Sequence, residues 1–243
     1  MLQTAFEILS NRAIAPNVYE MKLRGDVSGI AAPGQFVQIG LPGFFLRRPI
    51  SVCDAEGDVL TLIYKVVGKG TEAMSAFAPG AKLDLLTGLG NGYDLSLCGD
   101  APLLIGGGAG VPPMYLLAKR LIAEGKRVSV ILGFNTASEI FYENEFRALG
   151  AEVYVTTVDG TCGVKGFVTD AMENLSYSHV CACGPEPMLR AVYGRANTSG
   201  QFSFEERMGC GFGACMGCSC KTKYGNKRIC ADGPVLKKEE IVW

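Results

Sequence analysis

The 243-residue chain is 48% hydrophobic and 19% charged, with 32 glycines, a composition too apolar and too weakly charged for a disordered protein. Twenty-three Lys and Arg against 24 Asp and Glu leave a formal charge of −1, which offers nucleic acid no electrostatic footprint. No apolar run reaches the ~18–20 residues of a membrane span. The opening MLQTAFEILSNRAIAP lacks the basic start and unbroken apolar stretch of a signal peptide. A cytoplasmic protein with neither membrane nor nucleic acid as partner is expected.

Along the chain, LQTAFEIL, NVYEMKLRG, GQFVQIGL, RPISVCDA, DVLTLIYKVVG and AKLDLLTG come first. They alternate or run apolar over about 4–8 residues between Gly, Pro and Asp, the pattern of short strands. Six such strands predict a small antiparallel barrel over residues 1–98. One short helix is expected from Thr71 to Phe77, with Thr71 as its cap. From Asp100 the rhythm changes. Strands are expected at Ala101–Ile105, Val128–Gly133, Glu152–Val158, His179–Cys183 and Gln201–Glu205. Between them fall helices at Pro112–Glu124, Ser138–Leu149, Gly166–Asn174 and Glu186–Gly194. Strictly alternating strands and helices predict a five-stranded, doubly wound parallel sheet over residues 99–205. The remaining tail, 206–243, is Gly- and Cys-rich without periodicity. It is expected to build no apolar core and to be ordered by a bound group.

Five of the ten cysteines, Cys210, Cys215, Cys218, Cys220 and Cys230, crowd into this tail. Nothing indicates export, so metal ligation is a better reading than a disulfide framework. The spacing Cys210-x4-Cys215-x2-Cys218 followed by Cys230 matches a plant-type [2Fe–2S] cluster, with glycines at 209, 211, 213 and 217 allowing the backbone to close around it. A four-cysteine zinc site, which more often shows two C-x2-C pairs, and buried or redox thiols are the alternatives. Cys220 is surplus, placed by the C-x2-C-x-C run on the wrong side of a short loop. The one histidine, His179, precedes an apolar run and fits a structural or surface role better than catalysis.

In the first segment, Arg47-Arg48-Pro49-Ile50-Ser51 opens a strand, where a guanidinium can meet a diphosphate bidentately and the Ser51 hydroxyl can reach a ring nitrogen. Gly68-Lys69-Gly70-Thr71 turns into a helix N-terminus, a phosphate cradle. In this order before a βα domain, these motifs resemble the ferredoxin-reductase superfamily, whose Arg-x-[Tyr/Phe]-[Ser/Thr] motif holds FAD on a six-stranded barrel. The resemblance implies FAD, with FMN as alternative, held by Arg48, Pro49, Ile50 and Ser51. It further implies that Ile63, Tyr64 and Lys65 line the flavin and Gly70 and Thr71 its diphosphate. Ile50 stands where the family has an aromatic residue, a place Tyr64 could supply.

Gly106-Gly107-Gly108-Ala109-Gly110-Val111-Pro112-Pro113 joins the first parallel strand to its helix. It is not a G-x-G-x-x-G fingerprint, but a Gly-rich strand-to-helix turn still lets a diphosphate approach the backbone. Cys183-Gly184-Pro185-Glu186-Pro187-Met188 resembles the superfamily's Cys-Gly-Pro-x-x-Met segment beside the nicotinamide. The implied NAD contacts are Gly107, Gly108, Gly110, Val111, Pro112, Cys183, Gly184, Pro185 and Met188. Cys183 would lie near the reacting carbon, and no side chain would act as acid or base. Gly133-Phe134-Asn135-Thr136 has no cation for a 2′-phosphate, which favours NAD over NADP.

GGGAGVPPMYLLAKRL, FVTDAM, CGPEPML and EERMGCGFGACMGCSC…CADGPV look like the electron-transfer subunits of class 1B dihydroorotate dehydrogenases, over essentially the whole chain. The short gap from Cys218 to Cys230 implies a trimmed hairpin beside the cluster. The resemblance implies Cys210, Cys215, Cys218 and Cys230 as cluster ligands. The partner would be an FMN-containing catalytic subunit, two copies of each chain, with electrons passing from FMN through cluster and FAD to NAD+ in pyrimidine synthesis. Subunits of an NADPH:ferredoxin oxidoreductase or of a sulfide dehydrogenase, a self-sufficient NADH reductase, and a metal-binding module stay open as alternatives.

Overall fold

The computed structural model describes residues 1–173 and 175–243. Its first six strands are β1 (Leu2–Ala15), β2 (Val18–Arg24), β3 (Phe36–Gly40), β4 (Arg48–Glu56), β5 (Val59–Lys65) and β6 (Lys82–Leu89). They close into an antiparallel barrel in the order β1-β2-β5-β4-β3-β6, which leaves no open sheet edge. Phe6, Ile8, Met21, Leu23, Val37, Ile39, Leu60, Leu62 and Leu85 fill it. β1 runs past the expected end at Leu9, through a bulge between Ile8 and Ser10. Its polar continuation is held by side-chain bonds: Asn11 Nδ2 donates to the carbonyls of Met74 and Phe77, and Arg12 pairs with Glu20.

Helix α1 spans Lys69–Ser75, and Gly68, not Thr71, occupies its cap position. Thr71 falls in the first turn, where its hydroxyl accepts from the amides of Val67 (3.0 Å) and Gly68 (3.3 Å). The hydroxyl still serves amides at the helix entry, as in a capping box, but from inside the helix.

The second unit contains β7 (Pro102–Gly107), α2 (Val111–Ala123), β8 (Ser129–Phe134), α3 (Glu143–Ala148), β9 (Glu152–Thr157), β10 (Val164–Lys165), α4 (Val168–Ala171), β11 (His179–Cys183), α5 (Glu186–Arg195) and β12 (Gly200–Ser203). The tail adds β13 (Ser219–Thr222), β14 (Gly225–Arg228), α6 (Ile229–Asp232) and β15 (Val235–Lys237). The five expected strands are parallel neighbours, but among the described residues the sheet has seven, in the order β10-β9-β8-β7-β11-β12-β15. The two additions are edge strands of two and three residues, too short to show a period.

Three further expectations are corrected. The helix foreseen at Ser138–Leu149 is broken: a single turn at Ala137–Glu139 precedes α3, and Tyr142 adopts φ 65° between them. That turn sends Phe141 against Phe134 and lets the Tyr142 hydroxyl donate to buried Glu20 at 2.8 Å. Tertiary contacts thus override helix propensity. The helix expected at Gly166–Asn174 shortens to α4, its Asn174 end lying outside the described residues. Finally, the tail does bury apolar side chains, because Ile229, Leu236 and Ile241 pack with Leu189, Val192 and Phe202. The expected short hairpin is present as β13–β14.

α2 locks the barrel to the sheet. Its Lys119 reaches Asp54 (2.9 Å) and Glu56 (2.7 Å) on β4, and Arg120 donates to the Ala31 carbonyl at 2.8 Å. Among the described residues no helix is long and apolar enough to cross a membrane.

Candidate functional site

β7 and β11 are central neighbours, with Gly106 opposite Cys183. The sheet grows outward from them in opposite directions, and open α/β sheets bind ligands at such a reversal, beyond the strand carboxyl ends. The turns leaving the two strands touch. A methyl on Gly110 would stand 2.1 Å from the Cys183 carbonyl oxygen, and one on Gly107 would stand 2.4 Å from the Met188 sulfur. Met188 also abuts Gly184, so its thioether fills the seam between the turns. Val111 and Pro112 are buried behind the first turn, and the surface left open is that of Gly108 and Ala109. Across a narrow cleft, those two face Ile63, Tyr64 and Lys65 of β5. The structure therefore brings part of the expected flavin set against part of the expected nicotinamide set. Burial pushes the Cys183 thiol up to about 12, so it stands there as a neutral thiol and not a nucleophile.

On β4, Arg48, Ile50 and Ser51 are half-buried and Pro49 is exposed. The Arg48 guanidinium lies 4.7 Å from the centre of the Phe44 ring and donates to the Leu46 carbonyl. It crosses the start of α1 so closely that a methyl on Gly70 would stand 2.0 Å from its Nε. Arg47 is committed elsewhere, to the Asp84 carboxylate and, at 3.0 Å, the Asp84 carbonyl. Arg48 takes part in no ion pair among the described residues. Tyr64 stacks on Tyr19 with centroids 5.7 Å apart, and its hydroxyl donates to Asn11 at 2.9 Å; burial raises its pKa to about 12. If Arg48 holds the flavin diphosphate, Arg48→Ala loses charge-assisted bonds of about 1.5–3 kcal/mol each, and FAD retained through gel filtration falls. Arg47→Ala, which breaks a barrel ion pair, leaves FAD content near wild type. The reverse ranking would move the role to Arg47.

The tail thiols are gathered by their own backbone. Cys210 Sγ accepts from the amides of Ala214 (3.2 Å) and Cys215 (3.4 Å), and Cys230 Sγ accepts from Gly213 (3.1 Å). Cys218 Sγ accepts from the Cys230 amide at 3.3 Å, and Cys215 Sγ from Gly217 at 3.5 Å. Burial alone would raise the Cys210 thiol, but amides of Phe212, Cys215 and Ala214, with the Cys215 side chain, bring it down to about 6. Cys230 is raised to about 12 by burial and by its neighbour Cys218. The backbone thus links the thiols in two pairs, the Cys215 amide donating to Cys210 and the Cys230 amide to Cys218, a grouping that suits two irons each taking two thiolates. Thiolate-stabilising amides and four soft donors fit an iron–sulfur cluster. Cys220 sits on β13, paired across the hairpin with Lys227, and lines a cleft of about 350 Å³ shared with Pro185, Phe204 and Trp243.

Gln38 escaped the sequence reading. It is fully buried on β3, and neither its Nε2 nor its Oε1 finds a hydrogen-bond partner among the described residues. Gly211 of the cluster loop, at φ 79°, presses on it, and a methyl there would meet Nε2 at 2.3 Å. An unmet buried donor or acceptor costs about 1–3 kcal/mol, so this amide fits a polar group bound between β3 and the cluster loop. The signal available was a glutamine inside the apolar run FVQIG. His179 is buried, and burial pushes its pKa down, which removes it as a charged catalytic group.

A closed six-stranded barrel, a parallel sheet with a ligand cleft at its reversal, and a four-thiol loop define a flavin- and nicotinamide-linked oxidoreductase with an iron–sulfur centre. Residues 205–242 match the iron–sulfur cluster binding domain of dihydroorotate dehydrogenase B, and residues 104–193 match the oxidoreductase NAD-binding domain. The electron transfer subunit of dihydroorotate dehydrogenase B (NAD(+)) from Bacillus pumilus (strain SAFR-032) is 44% identical over 99% of this chain and 98% of that protein. The subunit of the same name from Fusobacterium nucleatum is 43% identical over 95% of each. Among solved structures, an NADH-dependent reduced ferredoxin-NADP oxidoreductase superposes with a TM-score of 0.89 at 31% identity, covering 98% of this chain and 90% of that one. The ferredoxin reductase of carbazole 1,9a-dioxygenase shares the fold, with a TM-score of 0.68 at 24% identity over 80% of this chain and 65% of that one. This chain belongs to the family of electron transfer subunits of NAD+-dependent dihydroorotate dehydrogenase B. Its cofactors are a [2Fe–2S] cluster, FAD and NAD.

Proposed function

We propose that the chain passes electrons from the FMN of a dihydroorotate dehydrogenase catalytic subunit to NAD+, in a cytoplasmic assembly of two copies of each chain. The work divides along the chain, with residues 1–98 holding FAD, 99–205 holding NAD and 206–243 holding the cluster. FAD held here would supply both hydride exchange with nicotinamide and single-electron exchange with the cluster, which is why one chain keeps all three groups. Cys210 and Cys215 hold one iron, Cys218 and Cys230 the other, with the loop amides directed at their sulfurs. Arg48, at the entry of α1 beside Gly70 and Thr71, takes the flavin diphosphate; Pro49, Ile50, Ser51, Ile63, Tyr64 and Lys65 bound its ring. Gly107, Gly108 and Gly110, backed by Val111 and Pro112, with Cys183, Gly184, Pro185 and Met188 seat the nicotinamide half. Placement and electrostatics are the protein's contribution here.

The observation that carries this reading is convergence. Ile63 and Lys65 share a cleft with Gly108 and Ala109, while the cluster loop rests on Gln38, directly across the ladder from Pro49. Beside the exposed Cys215, Phe212 and Met216 are also exposed, an apolar rim that suits docking of a partner. Asn135 and Thr136 at the end of β8 bring no cation toward an adenosine ribose, which favours NADH over the NADPH of the alternative oxidoreductase reading.

The purified chain is expected to reduce an artificial dye with NADH and to leave dihydroorotate untouched. Oxidising that substrate removes a proton and a hydride from adjacent carbons and needs a general base in a closed flavin pocket. Adding an FMN-containing catalytic subunit should create dihydroorotate-dependent NAD+ reduction. Substantial orotate formation by the chain alone, or a preference for NADPH, would refute this assignment.

A further inference from the structure

At the end of β11 opposite the ligand cleft lies a second cluster of soft donors. Cys98, His179 and Cys181 are all buried, and one ligand atom of each lies within 4.8 Å of the others. His179 and Cys181 are two residues apart on β11 and so point to the same face. Cys98 reaches them from the turn that joins the barrel to β7. The two sulfurs are 3.8 Å apart. Two thiolates, each about 2.3 Å from one tetrahedral zinc ion, stand about 3.8 Å apart, whereas a disulfide would need about 2.05 Å.

The imidazole is oriented for the same task. Its Nδ1 lies 2.9 Å from the Ser199 hydroxyl, and Nε2 faces the sulfurs, the arrangement in which metal-binding histidines are usually held. A fourth group closes the trio. The amide nitrogen of Gln201 stands 3.3 Å from His179 Nε2, 3.9 Å from Cys98 Sγ and 4.0 Å from Cys181 Sγ, at the remaining corner of a rough tetrahedron. In this arrangement backbone groups of Asp94 keep the amide nitrogen inward as a donor to the trio. The Asp94 N–H donates to Gln201 Oε1 at 2.7 Å and the carbonyl accepts from its Nε2 at 3.0 Å, so ligation requires the amide to turn.

We propose that Cys98, His179 and Cys181 form a structural zinc site whose fourth ligand is the side-chain amide of Gln201. On binding, the two thiol protons leave to solvent and two thiolates balance the dication, so no net charge is buried. The Gln201 amide turns over to present its oxygen, exchanging two backbone hydrogen bonds for one metal bond. With all four corners taken by protein, the site is closed, as structural zinc sites are. It ties the barrel–sheet junction at Cys98 to the central strand of the sheet.

The test uses the chain with flavin and cluster in place, exposed to zinc chloride, desalted, and assayed for zinc and iron by mass spectrometry. One zinc per chain is expected beyond the cluster iron, together with a higher melting temperature. The zinc should be lost from Cys98→Ser/Cys181→Ser with the iron unchanged. Cobalt in place of zinc should give the absorption of a tetrahedral, thiolate-bound ion. If the double variant folds too poorly to keep its iron, His179→Gln, which leaves both thiols in place, decides the question by at least a tenfold loss of zinc affinity. Wild-type protein that retains no zinc, or zinc held equally by the folded variants, overturns the site.

Discussion

Serine at any one of Cys210, Cys215, Cys218 or Cys230 is expected to strip cluster iron and acid-labile sulfide from the chain, whereas Cys220→Ser keeps both. Each iron takes two thiolates, and a serine hydroxyl is a harder donor that does not ionise near neutral pH. The four substitutions should also separate by stability. Cys218 and Cys230 are 2% and 1% exposed and pack in the core with Phe202 and Leu236. A hydroxyl placed there carries a burial penalty of roughly 1–3 kcal/mol in addition to the lost cluster. Cys215 is exposed, so its serine variant should lose the metal with a smaller drop in melting temperature. Iron and sulfide assays with a thermal melt on each variant check both statements. Iron retained in Cys230→Ser but lost in Cys220→Ser would overturn the ligand set.

The parts of this molecule that were legible in sequence are those with a period or a fixed spacing. Phe6 and Ile8 in β1, or Leu103 to Ile105 in β7, announce strands because burial repeats along them. The cysteine spacing is legible because one loop must place three thiolates around a small cluster. What escaped depends on contacts between distant residues. Nothing local in ASEIFYENEF foretells that Tyr142 will leave the helix to reach Glu20, 122 positions away. Nor does GPVLKK show that Leu236 will pair beside Phe202 as an edge strand. Gln38 was visible as a polar residue in an apolar run, but its meaning came only with the loop lying against it. The surface of the Gly-rich turn also needed the fold, since Val111 and Pro112 are buried and Gly108 and Ala109 are left open.

Gly110→Ala is expected to abolish most nicotinamide-dependent activity while sparing flavin and cluster. The added methyl would stand 2.1 Å from the carbonyl oxygen of Cys183 and 2.6 Å from the Gly184 nitrogen. Both are backbone atoms of a turn fixed by β11, so no side-chain rotation relieves the clash and the two turns must separate. Overpacking of this kind costs about 1–3 kcal/mol of stability, enough to lower the melting temperature without unfolding the chain. The effect on chemistry should exceed the effect on folding, because hydride transfer depends steeply on how closely the rings are held; a misplacement of about 1 Å costs on the order of 10²-fold. NADH-to-dye turnover should therefore fall by roughly that factor, with FAD and iron content unchanged because Arg48 and the tail cysteines lie outside the seam. Gly194→Ala is the matched control. Gly194 lies within α5 with nothing among the described residues near enough for a methyl to touch, and alanine there should stabilise the helix by about 0.5–1 kcal/mol without changing turnover. Wild-type dye reduction by Gly110→Ala would show that the seam between the two turns does not seat the nicotinamide.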